Sequence, residues 1–267
     1  MLLAGWPGSG KTTALLSIPK CLLIDAEGGS NYLPMVHPSS ARVSVSSYED
    51  ALEILKGLEA DAPNESRRAF DTVAIDTMDA FGGSQVSIFC EYVVRESGTN
   101  FISQFGSNGA GWGRLHELFA HYTHRIRAAG YGLVATCHLR KKQYNDQFGN
   151  QRMGIVRDMT ARIDGIVANA ANFIGEIAKT VKVIPKIGKV NIGGKVIERE
   201  IGTEQVIQHE VSWRSPDPER DALLKTRLPI PSAFTFTPED FWSQFVAHYD
   251  AAVAKVREQQ RSRSNES

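Results

Sequence analysis

Cysteine is scarce in this 267-residue chain, and its formal charge is zero. Cys21, Cys90 and Cys137 are odd in number, far apart and without a C-x-x-C spacing. That argues against a disulfide framework and predicts reduced thiols packed in a core. Thirty Lys and Arg balance thirty Asp and Glu, so a nucleic-acid partner has to be met by a local patch. No apolar run approaches the ~20 residues of a membrane span. The first residues belong to a loop motif that leaves no room for a signal peptide. These absences predict a cytoplasmic protein with no membrane partner. There is no internal repeat, and the length suits one α/β core with appendages.

What the chain does have stands at its start. Gly5-Trp6-Pro7-Gly8-Ser9-Gly10-Lys11-Thr12 fits G-x-x-x-x-G-K-[ST]. Glycines let the backbone curl so that successive N–H groups converge on phosphate oxygens, a lysine reaches the β/γ-phosphates, and a hydroxyl can coordinate Mg²⁺. The context fits: an apolar run, Met1 to Ala4, comes before, and Thr13 to Ile18 continues as a short helix stopped by Pro19. The helix dipole favours the same anion. The candidate phosphate-binding residues are therefore Gly5, Pro7, Gly8, Ser9, Gly10, Lys11, Thr12 and Thr13.

Three further apolar runs read as buried strands of a mostly parallel sheet, each ending in a polar residue at the edge where such sheets place ligands. Cys21–Asp25 leads to Ala26 and Glu27, Thr72–Asp76 ends in an aspartate, and Tyr131–Cys137 delivers His138. An acid at the end of the second run suits a Mg²⁺ site shared by Asp76 and Thr12. Ser47-x-x-Asp50 reads as a capping box before a helix with Ala51, Ile54, Leu55 and Leu58 on its buried face. Residues 98–113, with five glycines, read as a long mobile loop carrying Phe105 and Trp112. Helical spacing starts at Trp112 and runs to Ile126.

After His138 come Arg140, Lys141 and Lys142, then Arg152, with Tyr144 and Phe148 interleaved. A basic loop with rings suits single-stranded nucleic acid, where cations track phosphates and rings stack on bases; a solvated charged loop is the plainer reading. From Phe173 the pattern turns to β, in four short alternating runs with Gly193-Gly194 as a hairpin signal. The lysines of this basic hairpin, near 180–201, suit either DNA contact or protection of an edge strand. The predicted organisation is a core over 1–213, an extension with a helix over 214–258, and a disordered Arg/Ser-rich tail over 259–267.

The order of Gly5–Thr12, Glu27, Asp76 and His138 resembles the RecA-like branch of P-loop NTPases. The block Cys21-Leu-Leu-Ile-Asp-Ala-Glu27-Gly is similar to the RecA strand whose terminal glutamate activates water. Val134-Ala-Thr-Cys-His138 resembles the strand whose terminal residue senses the γ-phosphate and leads into a second DNA-binding loop, residues 98–113 standing in the place of the first. More narrowly, the chain resembles the short RecA-like ATPases of bacteriophages. The resemblance implies an α/β, RecA-like fold with a β-rich C-terminal part, and ATP and Mg²⁺ as cofactors. It implies single-stranded DNA as partner, annealing or recombination as activity, a homo-oligomer in ring or filament form, and a single-strand-binding protein as possible partner. Lys11, Glu27 and His138 would be catalytic, and Lys225 and Arg227 are candidates for cations acting on a neighbouring subunit. Thr77 stands where many related ATPases carry a glutamate after the Asp, which favours Glu27 as base. A RecA-fold motor or helicase loader, a non-catalytic annealing module and a small-molecule kinase are the alternatives, and no arginine-rich lid favours the last.

Overall fold

The computed structural model describes all residues except 31–40, 64, 65, 67, 107, 108, 146, 147, 193, 194, 238, 266 and 267. Its frame is a run of short, continuously apolar strands. They are β1 (Leu2–Gly5), β2 (Cys21–Asp25), β3 (Ala41–Ser44), β4 (Thr72–Asp76) and the first half of β5 (Gly132–Asn145). Such runs are covered on both faces, as parallel strands linked by helices must be. β6 (Gln151–Arg157), β7 (Phe173–Ile192), β8 (Lys195–Ser212), β9 (Lys225–Thr226) and β10 (Ala233–Phe236) complete a sheet in the order β10-β8-β7-β1-β5-β4-β2-β3, with β6 beside β5 and β9 beside β7. From β7 to β3 the neighbours are parallel; β8 and β10 add antiparallel strands. The result is a mixed α/β fold with a mostly parallel central sheet, consistent with a P-loop NTPase.

Helices cover both faces. α1 (Lys11–Leu16) lies on one; α2 (Tyr48–Asp61), α3 (Ile88–Ser97), α4 (Ala110–Ala128) and α5 (Ala161–Ala170) lie on the other. α6 (Pro218–Asp221) is a single turn, and α7 (Phe241–Asn265) packs beside α1, Trp242 N–H donating to Ser17 Oγ at 3.1 Å. Strand alternation divides the core accordingly. Leu2 and Ala4 face the α2–α5 layer, where Phe81, Phe89, Phe119 and Tyr122 pack, and Leu3 faces α1 and α7. α2 starts at the expected capping box, with Ser47 Oγ accepting from Asp50 N–H and the Asp50 carboxylate accepting from Ser47 N–H. Among the described residues no helix is long and apolar enough to cross a membrane.

Several expectations are corrected. The described residues of 98–113 are not one continuous loop: Gly98 caps α3, Ile102–Gln104 makes a 3-10 turn, and α4 starts at Ala110. The four short runs after Phe173 are two long strands, β7 and β8, paired along their length. The expected Gly193-Gly194 turn lies outside the described residues. The Arg/Ser-rich tail continues α7 as helix to Asn265, because straight-chain residues propagate a helix already anchored by Phe241 and Phe245.

The α1/α7 core centres on Trp213, fully buried over Gly175, where a Cβ would come within 2.7 Å of the indole. Its indole N–H has no hydrogen-bond partner among the described residues. Trp213→Ala should therefore lower the unfolding free energy by about 3–5 kcal/mol in urea titrations, whereas Trp213→Phe should cost much less, since it refills most of the volume and also removes the unpaired N–H.

Candidate functional site

The register of the sheet puts the polar strand ends in a row. Gly5 of β1 pairs with His138 of β5, and Asp25 of β2 pairs with Asp76 of β4. β5 lies between β1 and β4, so its alternate residues Thr136 and His138 separate the glycine-rich loop from Asp76. Pro7, Gly8, Gly10, Lys11, Thr12, Thr13, Glu27, Asp76 and His138 line one open cavity of about 310 Å³ at this edge.

The loop is shaped for an anion. Gly10, at φ 96°, caps α1 in a left-handed conformation that side-chain-bearing residues rarely adopt. The Lys11 ammonium is buried and donates to the carbonyls of Gly5 and Trp6, each at 3.1 Å. Burial lowers its pKa against the pull of Asp76. The buried Ser9 hydroxyl has no hydrogen-bond partner among the described residues. On the cavity's other side Thr12 Oγ1 donates to Asp76 Oδ2 at 2.6 Å, and Thr136 Oγ1 donates to Asp76 Oδ1. Burial raises the pKa of Asp76 in spite of those two bonds. A buried lysine, a buried carboxylate and a half-buried hydroxyl, each short of full compensation, fit a triphosphate with its Mg²⁺: Lys11 would meet phosphate, and Thr12 with Asp76 would hold the metal.

Glu27 sits on a loop tied down by Asp25. The buried Asp25 carboxylate accepts from the backbone N–H groups of Glu27 at 3.2 Å, Gly28 at 2.8 Å and Ser30 at 3.2 Å, and from the Ser30 hydroxyl. Burial raises the Glu27 pKa, opposed by His138, whose Nε2 lies 3.8 Å from Glu27 Oε1. His138 is fixed from behind by Asp79: Oδ1 accepts from His138 N–H at 3.0 Å, and Oδ2 lies 2.9 Å from Nδ1. That bond raises the pKa of His138 above 6.5 although burial works against it. Burial would raise Asp79, but the hydrogen bonds from His138 outweigh it and hold its carboxyl below the usual range. The imidazole is thus presented to the cavity through Nε2 with a carboxylate favouring its charged form.

Asp25, Asp79, Thr136 and His209 escaped sequence reasoning as site residues. Thr136 was accessible from strand alternation with His138, and Asp79 from its place three residues after Asp76. His209 had no local signal. It reaches the site from β8, its Nδ1 2.8 Å from the Ser9 carbonyl oxygen and its ring against Gly10, where a Cβ would come within 2.5 Å. Phe236 stacks behind it, with ring centroids 5.6 Å apart.

The remaining candidates lie elsewhere. Phe105 and Trp112 are partly buried and pack against the core; among the rings of that stretch Phe101 is the exposed one, at 65%. Arg140, Lys141, Lys142 and Arg152 are exposed, but on an antiparallel hairpin of β5 and β6 and not on an irregular loop. Arg140 pairs with Asp158 at 2.9 Å. Lys225 and Arg227 lie near the opposite end of the sheet, where β9 pairs with the start of β7. Lys225 donates to Ala168 O at 2.7 Å and Arg227 to Asn169 O at 3.4 Å. Both thereby satisfy carbonyls at the C-terminal end of α5, so Lys225 in particular is committed within its own chain.

A parallel sheet whose first strand opens into a glycine-rich loop and helix, with a buried aspartate strand one place removed, defines a P-loop nucleoside triphosphatase. A family model described as an AAA domain matches residues 1–210, and the chain belongs to that family of P-loop ATPases. No curated protein sequence matches it.

The His138–Asp79 pair makes stability depend on pH with a definite sign. A raised histidine pKa contributes stability that is present in full below the unfolded value of 6.5 and is lost as pH rises through the higher folded value. Asp79 stays ionised throughout that window. The urea-derived stability gap between the parent and His138→Asn should therefore be widest below pH 6.5 and narrow as pH rises above it.

Proposed function

We propose that the chain hydrolyses ATP with Mg²⁺ and uses the nucleotide state to modulate binding of single-stranded DNA. The observation that carries the hydrolytic half is the gathering of Lys11, Glu27, Asp76 and His138 around one cavity. Bound Mg²⁺, held by Thr12 and Asp76, would neutralise the β- and γ-phosphate oxygens. Lys11 and the loop amides bind the triphosphate and offset the charge that builds on the leaving ADP. Glu27, held by the Asp25-anchored loop, takes a proton from the attacking water as its oxygen bonds to the γ-phosphorus and the bond to the β–γ bridging oxygen breaks. Its raised pKa brings it nearer the range suited to a base at neutral pH. His138, with Nε2 towards the cavity, donates to the γ-phosphate. Its present neighbour is Glu27, so the imidazole exchanges a carboxylate for a phosphate when nucleotide binds.

The DNA half is supported by what lies beyond His138. β5 continues out of the site into the hairpin with β6, in the register Arg140↔Val156, Lys142↔Gly154 and Tyr144↔Arg152. Directly opposed residues share a face, so Arg140, Lys142, Tyr144 and Arg152 lie together, with Lys141 on the reverse. Gly154 leaves room for the Tyr144 ring, which a Cβ there would approach within 2.8 Å. Cations beside an aromatic ring on an exposed ribbon suit a single strand without sequence preference. The ribbon and the nucleotide-facing imidazole share one continuous strand, so reorientation of His138 is felt at its base.

ATP turnover measured with and without single-stranded DNA tests the reading: stimulation by DNA supports it, and phosphorylation of a small molecule in place of hydrolysis would overturn it. Glu27→Gln should keep ATP binding while lowering kcat by about 10²–10⁴-fold. Replacing Arg140, Lys142 and Arg152 by Ala should flatten the salt dependence of DNA binding by about two units of log–log slope, measured by fluorescence anisotropy.

A further inference from the structure

β7 and β8 leave the sheet together. β1 accompanies β7 only as far as Glu176, and β10 accompanies β8 only over residues 209–212. Among the described residues, the outer edge of β7 over 177–192 and that of β8 over 195–208 have no strand beside them. Two-stranded ribbons are marginal in water, and long free edges recruit further strands. One face of this ribbon carries Val181, Val183 and Ile187 of β7 with Ile207 opposite Val181, each between 55% and 57% exposed, beside Gln205 opposite Val183 and Glu200 opposite Ile187.

The two edges differ in charge. Over 179–192 β7 carries Lys179, Lys182, Lys186 and Lys189 and no acid. Over 195–210 β8 carries Glu198, Glu200, Glu204 and Glu210 against Lys195 and Arg199. Lysines along β7 repel a second β7, and glutamates along β8 repel a second β8. Neither row repels the other, because opposite charges on adjacent strands attract.

We propose that copies of this chain assemble head to tail, the basic outer edge of β7 in one copy pairing with the acidic outer edge of β8 in the next. Copies in the same orientation make that junction antiparallel, like the β7–β8 pairing within each chain. The apolar rows then join into the face of a wider sheet, with their flanks covered by cross-strand neighbours. Because the two surfaces differ, a pair of copies still has one free edge of each kind, and the assembly is a ring or an open filament, not a closed dimer. This surface does not depend on the nucleotide chemistry proposed above.

Sedimentation velocity of the full chain, freed of nucleic acid, tests it over a concentration series. The parent should grow past a dimer with concentration and shrink as salt rises. Lys182→Glu with Lys186→Glu, and separately Glu200→Lys with Glu204→Lys, should each weaken self-association by about tenfold or more. An equimolar mixture of the two variants should reassemble, since every mixed junction again joins opposite charges. Unchanged melting temperature and unchanged binding of a fluorescent ATP analogue show that each variant is folded, which keeps the result separate from the nucleotide reading. A parent that stays monomeric, a parent that stops at a dimer, or a mixture that fails to reassemble overturns the proposal.

Discussion

Strand β5 runs between the strand that opens into the phosphate loop and the strand that ends in Asp76, and the spacing of the site follows from that. Were β1 and β4 direct neighbours, Lys11 and Asp76 would stand one strand apart with nothing between them. The inserted strand brings Thr136 against the Asp76 carboxylate and sets His138 level with Gly5. The same strand supplies a fixed donor to the metal-side acid, a polarised ring towards the phosphate side, and the basic ribbon beyond.

Electrostatics in the site are organised as neighbouring pairs with different tasks. Asp25 and Asp79 spend their carboxylates on protein groups, one on the backbone N–H groups around Glu27, the other on the backbone and ring of His138. Asp76 and Lys11 are desolvated without comparable compensation, and burial pushes both towards their neutral forms. Carboxylates satisfied internally hold geometry; charged groups left short of partners are the ones a ligand can stabilise.

Most of the site was legible because its signals are local. The glycine spacing of the phosphate loop and the apolar runs ending at Asp25, Asp76 and Cys137 need only a few residues each to be recognised. His209 was invisible because its meaning arises from a residue 200 positions away; Asp79 stands three residues after Asp76, but the histidine it holds lies 59 positions away. Glycines and aromatics around Phe105 read as a loop in composition, yet Ile102 and Trp112 bring that stretch down onto the core, where tertiary packing overrides local preference. Pro185 and Gly188 broke the alternation of β7 in sequence, and so one long strand read as several short ones. A proline on an outer strand costs little there, and Gly188 makes room for Ile201.

The contact between His209 and the Ser9 carbonyl has a consequence for how the molecule is made. β1 precedes its partners β5 and β7 by well over a hundred residues, and the histidine that braces its loop comes 200 residues later. The nascent chain therefore leaves the ribosome with its nucleotide cradle unsupported. The cradle acquires this brace only when β8 has emerged, so a ribosome-bound fragment truncated before β8 carries the entire glycine-rich motif and still lacks the contact that holds it in shape.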